Sequence, residues 1–334
     1  MADHIAAVDI GATKITISLC SRKGFVRRIH QGIGLTGDEL SVPRQVSRMT
    51  RKCCELAGIG IEEIVGVGVS SAGPFINLDD HIALVSPNIC GGLAPERGII
   101  PNDWKIVPLG KELSREFDNV AILNDAVSGV VAERTFGAGR GYDDLVYVTW
   151  STGIGTGAYA NGNLLWGKNG NAPHGGHITI VDDGPLCGCG SRGHLEALAS
   201  GTAIARDYGD GTSCEDVFRA YRNGEERAYG VIEKAVMYFT KGLLSINSVL
   251  DTKRIVIGGS VFQNNQDILL PKIKEGFQGE FPVLTDEVEI VPSELGNYLG
   301  DVAALSLIMP EEWREDWIGN RPWEKAPETI FLQS

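Results

Sequence analysis

The chain has 334 residues, 43% of them hydrophobic, with 43 glycines and a formal net charge of −13. That length allows two α/β domains of ordinary size with substantial cores, and the negative balance argues against a general nucleic-acid or membrane surface, so any anion site must be local. No stretch approaches the roughly 20 apolar residues needed to cross a bilayer, and the start of the chain carries no basic, apolar leader. Seven cysteines without framework spacing fit a reduced, cytoplasmic setting.

Ile5 to Asp9 reads as a short apolar strand, Gly11-Ala-Thr13-Lys14 as a tight turn, and Ile15 to Cys20 and Phe25 to His30 as two further strands. Three antiparallel strands therefore open the chain. Val42, Val46, Met49, Cys53 and Leu56 step by four and three, which predicts an amphipathic helix capped by Ser41 and stopped by Gly58. Strands follow at Ile64 to Val69 and Val120 to Leu123, the latter running into Asn124-Asp125. Between them, Ser70 to Pro74 forms a loop, and the segment through Pro87-Asn88 and Pro95 to Trp104 reads as loop-rich.

The second half repeats the plan. Leu145 to Trp150 is a strand, Ser151 to Gly157 a Gly-rich turn, and Ala158 to Leu165 a hairpin whose Asn161-Gly162 suits a type I′ turn. Helical patterns at 195–206 and 226–250 precede a strand from Arg254 to Ile257 that ends in Gly258-Gly259-Ser260. A helix at 266–277, a strand at 287–291 and a helix at 298–308 complete it. The recurrence implies two similar lobes, one of residues 1–123 with 299–334 and one of 124–298, whose matching turns face one another across a central cleft.

Several motifs carry chemistry. His177, Cys187, Cys189 and His194 gather two imidazoles and two thiolates in a short Gly-rich stretch, the ligand set of a closed tetrahedral Zn²⁺ site. Four protein ligands leave zinc no open position, which points to structure rather than to hydrolysis. Both Gly/Thr turns, Asp9 to Lys14 and Ser151 to Gly157, can aim backbone N–H groups at phosphate oxygens. Asn124-Asp125 stands at the carboxyl end of an apolar strand, where ligands gather in α/β folds; the pair also suits a helix N-cap.

The zinc stretch, the D-x-G-x-T turn, the Asn-Asp pair and the Gly-Gly-Ser turn together resemble the ROK family of sugar kinases, over about residues 5–308. The resemblance implies two ribonuclease-H-like lobes of the actin-like ATPase fold with a small zinc loop at 174–196. It implies an ATP- and Mg²⁺-dependent transfer of the γ-phosphate to the 6-hydroxyl of a hexose, with Asp125 as the general base. Asp9 would orient hydrated Mg²⁺. Gly11, Thr13, Thr152 and Gly153 would lie along the phosphates and Gly258 and Gly259 along the adenosine, while Lys14 either adds a charge there or stands in solvent. Ser71, Gly73, Asn88, Asn124, His174, His177 and Glu196 would line the sugar, and the family pattern carries an expectation of a homodimer or homotetramer.

Two positions depart from that pattern. His194 stands where the family has its third zinc cysteine, exchanging one competent ligand for another. His174 replaces a family glutamate that accepts bonds from sugar hydroxyls; histidine can donate as well as accept, which suits an acetamido carbonyl or an axial C2 group. N-acetylmannosamine is therefore the expected substrate, with glucose as the alternative. A sugar-sensing repressor is set below the kinase because the first strand is expected to begin at Ile5, without a helix-turn-helix before it. A zinc-stabilised sugar binder is set below it because a binder needs no phosphate turns. The stretch 91–104 and the tail Pro310 to Ser334, with Trp313, Trp317 and Trp323, fall outside the family outline and are assigned to packing.

Overall fold

The computed structural model describes residues 4–95, 98, 100–209 and 211–333. The stretch 91–104 thus lies partly outside the described residues, as do positions 1–3 and 334. The chain forms two compact α/β units. One runs up to Phe136 and takes in Trp166–Asn171 and the chain from Asn297, and the other comprises Gly137–Leu165 and Ala172–Gly296.

The first unit is built on a mixed sheet. Strands β1 (His4–Ile10), β2 (Lys14–Ser21) and β3 (Gly24–Gly32) are antiparallel neighbours, β4 (Ile64–Ser71) joins β1 in parallel, a hairpin of β5 (Phe75–Leu78) and β6 (His81–Leu84) lies apart, and β7 (Val120–Asn124) closes the edge beside β4. The near-continuous burial of β1 and β4 reflects their central place, with both faces covered. The predicted helix covers Ser41–Ala57, and Gly58 ends it in the left-handed conformation at φ 69°. Ser41 lies just inside the helix instead of capping it, and its hydroxyl bonds Thr36 O. On β4, a Cβ at Gly68 would stand 1.9 Å from the carbonyl oxygen of Ala304, so glycine there lets the helix Leu299–Ser306 lie directly on the sheet.

The second unit repeats the order. Strand β8 (Leu145–Trp150) pairs antiparallel with β9 (Ile154–Ala160), which pairs with β10 (Asn163–Leu164), and β8 pairs in parallel with β11 (Arg254–Gly258), which pairs with β12 (Glu289–Pro292). The sequence β3-β2-β1-β4-β7 therefore matches β10-β9-β8-β11-β12, with the same alternation of antiparallel and parallel neighbours. Asn161 and Gly162 both adopt positive φ, as a type I′ hairpin requires. A 25-residue helix, Glu226–Leu250, packs its buried face into this unit's core, where Phe239 stacks on Trp150 at 3.9 Å.

Four expectations need correction. The region between β4 and β7 is not all loop: it holds the β5–β6 hairpin and a short helix, Leu109–Leu113. The second Gly/Thr turn is confined to Ser151–Gly153, because Ile154–Gly157 already belong to β9. The helical pattern at 195–206 breaks at Ser200 into Leu195–Ala199 and Gly201–Tyr208, with the Ser200 hydroxyl accepting the Ala203 N–H as a cap. The units divide at 136/137 rather than at 123/124, since the helix Asp125–Phe136 follows β7 without a break and packs with the first unit.

Candidate active site

In the first unit, strand register sets three expected groups side by side at one sheet edge. Ser71 pairs with Ile10 on one side and with Asn124 on the other, so the carboxyl ends of β1, β4 and β7 line up. Each end opens into a functional element. After β1, the turn closes through the Gly11 N–H on Lys14 O (2.9 Å) and leaves Thr13 and Lys14 exposed. β4 ends at buried Ser71, and half-buried Gly73 follows, where a Cβ would stand 2.9 Å from Asn124 Nδ2. After β7, the helix Asp125–Phe136 begins at once. The Ala126 N–H is shared between Asp125 Oδ1 (2.8 Å) and buried Asn124 Oδ1 (3.1 Å), which satisfies a terminal donor, while Asp125 is exposed at the helix N-terminus. Asn88 is an exposed turn residue on the segment after β6, a segment tied to the Gly73-Pro74 loop by the Val85 N–H on Pro74 O (3.0 Å).

Asp9, half-buried near the end of β1, stands among carboxylates. Burial, then the charges of Asp301 and Asp125, push its pKa up to about 7, against the opposing pull of Lys14 and Arg28. Ionised Asp9 thus carries charge that a divalent cation would relieve. Gly300 packs against it so closely that a Cβ would lie 2.7 Å from its carboxyl carbon.

In the second unit, the turn Ser151–Gly153 and the Gly258-Gly259 end of β11 lie together. The Ser151 and Ser260 hydroxyls are 2.9 Å apart, and Gly259, at φ 88°, has no room for a side chain: a Cβ would be 2.5 Å from Trp150 O. Thr152 and Gly153 follow Ser151. Thr202, which sequence reasoning missed, donates its hydroxyl to Thr152 O (2.9 Å) and so braces the turn from the neighbouring helix.

The four expected metal ligands converge. Single donor atoms from His177, Cys187, Cys189 and His194 all lie within 4.8 Å of one another. Cys187 Sγ is 3.6 Å from His177 Nδ1, and Cys189 Sγ is 3.2 Å from His194 Nδ1. Zinc–sulfur and zinc–nitrogen bonds of about 2.3 and 2.1 Å set tetrahedral S···N edges near about 3.6 Å, so the donor set fits Zn²⁺. Burial, then His194, pulls the His177 pKa down and keeps its ring in the neutral, ligating form. The loop is folded by its own backbone: the Cys187 N–H bonds Ser191 O, and Ile180 and Val181 both donate to Gly193 O. Gly193 adopts φ 68°, and a Cβ there would fall 1.4 Å from Val181 O, so only glycine fits.

His174 is not among these four; it takes the left-handed conformation after a cis Ala172–Pro173 bond, with its ring 5.1 Å from that of His177. Glu196 sits two residues after His194 on the helix Leu195–Ala199. Its Oε2 accepts the Ile154 N–H at 3.1 Å, next to the turn Ser151–Gly153, and Oε1 is 3.8 Å from Cys187 Sγ. This link between metal loop and turn carries no sequence signal.

A model of the ROK family matches residues 5–309. A glucokinase from Aeropyrum pernix is 31% identical over 329 residues, covering 91% of this chain and 96% of its own. An N-acetylmannosamine kinase from Escherichia fergusonii is 30% identical over 263 residues, covering 76% of this chain and 82% of its own. Among solved structures, a ROK-family glucokinase from Streptomyces griseus in complex with glucose and AMPPNP superposes with a TM-score of 0.72 at 25% identity, over 90% of this chain and 97% of its own.

Proposed function

The chain belongs to the ROK family, and from that membership we propose that it is an ATP-dependent sugar kinase that phosphorylates the 6-hydroxyl of a hexose or N-acylhexosamine. The observation that carries this reading is the alignment of the Asp9 turn, Ser71-Gly73 and Asn124-Asp125 along one sheet edge. Asp125 accepts the proton of the sugar hydroxyl while that oxygen forms its bond to the γ-phosphorus and the bond to the ADP oxygen breaks. Asn124, held by its bond to the Ala126 N–H, orients a ring hydroxyl. Mg²⁺, when bound, offsets the charge of the triphosphate. Asp9 would hold its water shell, and Thr13, Thr152 and Gly153 would offer donors to the phosphates with Gly11 closing the first turn beneath them, while Gly258 and Gly259 would lie along the adenosine.

Zinc, held by His177, Cys187, Cys189 and His194, stiffens the wall on which His177, His174 and Glu196 meet the sugar. His174 favours N-acetylmannosamine, because an imidazole N–H can donate to an acetamido carbonyl where a carboxylate cannot. Glucose is the second reading, favoured by the glucokinases among the relatives. A coupled ADP-release assay across glucose, mannose, N-acetylglucosamine and N-acetylmannosamine decides. N-acetylmannosamine should give the highest kcat/KM; a preference for glucose would reverse the substrate assignment, and the lack of any sugar-dependent release would sink the kinase.

A further inference from the structure

Residues 310–334 lie beyond the part of the chain that the family model matches. The described part of this tail is nevertheless built into the hairpin that follows Asp9. Trp317 is fully buried; its indole N–H donates to Ser21 O (3.0 Å) at the end of β2, and its ring meets Phe25 of β3 edge-on at 5.2 Å. The strand Thr329–Phe331 adds to the sheet in parallel with β3, setting Thr329 opposite Arg28.

Arg28 is the junction. Its Nη1 donates to Thr329 Oγ1 (2.5 Å), and its Nε and Nη2 donate to the two carboxylate oxygens of Asp301 at 3.1 Å each. Asp301 is 2% exposed and also accepts the Ser18 hydroxyl of β2 at 2.5 Å. Its chain neighbour Gly300 is the residue pressed against the Asp9 carboxyl. Contacts therefore run without a break from Thr329 through Arg28 and Asp301 to Gly300 and Asp9.

A buried ion pair is a poor source of net stability, because the cost of removing both charges from water cancels most of their attraction. Two apolar side chains would pack the same space as well. What the charges add is geometry, since the guanidinium fork grips both oxygens of the carboxylate. They also add balance, since Arg28 offsets a second carboxylate beside Asp9. We infer that Arg28 and Asp301 are positioning residues for Asp9 and that the C-terminal tail, through Thr329, holds Arg28 to that task. This rests on the reading of the chain as a Mg²⁺-dependent kinase.

The test uses the full chain and reads calorimetric MgADP affinity, kcat, the Mg²⁺ half-saturation and the sugar KM. Arg28→Met should weaken MgADP binding and raise the Mg²⁺ half-saturation about tenfold or more, with the sugar KM unchanged. Thr329→Val should move the same quantities in the same direction by a smaller factor. The double variant Arg28→Met with Asp301→Leu removes the unpaired charge, so it should regain thermal stability without regaining MgADP affinity. Wild-type affinity and Mg²⁺ dependence in the double variant would reduce the pair to packing and overturn the inference. The double variant also carries the test if Arg28→Met alone does not fold. Wild-type protein that binds MgADP but turns over no sugar would count against the kinase reading instead, leaving the affinity comparison intact.

Discussion

Glu196 joins two parts of the second unit that lie far apart in sequence: Oε2 accepts the Ile154 N–H at 3.1 Å, while Oε1 lies 3.8 Å from Cys187 Sγ. One side chain thus bears on both the Ser151–Gly153 turn and the Cys/His loop. Glu196→Ala strips the Ile154 N–H of its acceptor and should cost about 1–3 kcal/mol of stability, measured by urea unfolding. Glu196→Gln keeps an acceptor oxygen and should cost less. Equal losses from the two variants would show that the hydrogen bond is not what Glu196 contributes.

Metal removal tests the donor cluster. Chelation should release one zinc per chain, by elemental analysis, and lower the melting temperature, because zinc bound only to the folded state stabilises it. Cys189→Ser should leave the protein with substoichiometric zinc. Full melting temperature after complete chelation would mean that the loop needs no ion.

Gly193 should tolerate no side chain. Its positive φ and the Val181 carbonyl in the space of a Cβ predict that Gly193→Ala loses roughly 3 kcal/mol or more. The same change should lower zinc content, since Gly193 immediately precedes His194. Differential scanning calorimetry with zinc analysis reads both.

The raised pKa of Asp9, about 7, gives a signed pH dependence. Between pH about 4 and 7 the unfolded chain gives up this proton while the folded chain keeps it, so stability from this group is present at acid pH and is lost as pH rises. Asp9→Asn should therefore stabilise Mg²⁺-free protein at pH 8, on the order of 1–3 kcal/mol, with the gain fading toward pH 4. Its kinase activity should collapse. A variant that is less stable than wild type at pH 8 would contradict the charge-crowding account.

Much of this was legible in the sequence because the signals are local. The apolar runs of β1, β4 and β8, the four-three spacing of the helix Ser41–Ala57, and the Asn161-Gly162 turn each depend on neighbours a few residues away. The convergence of His177, Cys187, Cys189 and His194 is legible too, since all four fall in one short Gly-rich stretch. What escaped depends on distant partners. The β5–β6 strands are four residues each and half exposed, too short for alternation to register. The strand Thr329–Phe331 exists through its pairing with β3, about three hundred residues earlier in the chain. The Glu196–Ile154 bond and the grip of Arg28 on Asp301 are likewise products of the fold, not of spacing.

The central claim is that Asp125 takes the proton of a sugar hydroxyl in phosphoryl transfer. The most direct measurement compares wild type with Asp125→Asn in a sugar-dependent ADP-release assay, with MgADP and sugar binding measured alongside by calorimetry. The account predicts that turnover falls by about 10²–10⁴-fold while both ligands still bind. Undiminished turnover from Asp125→Asn would contradict it.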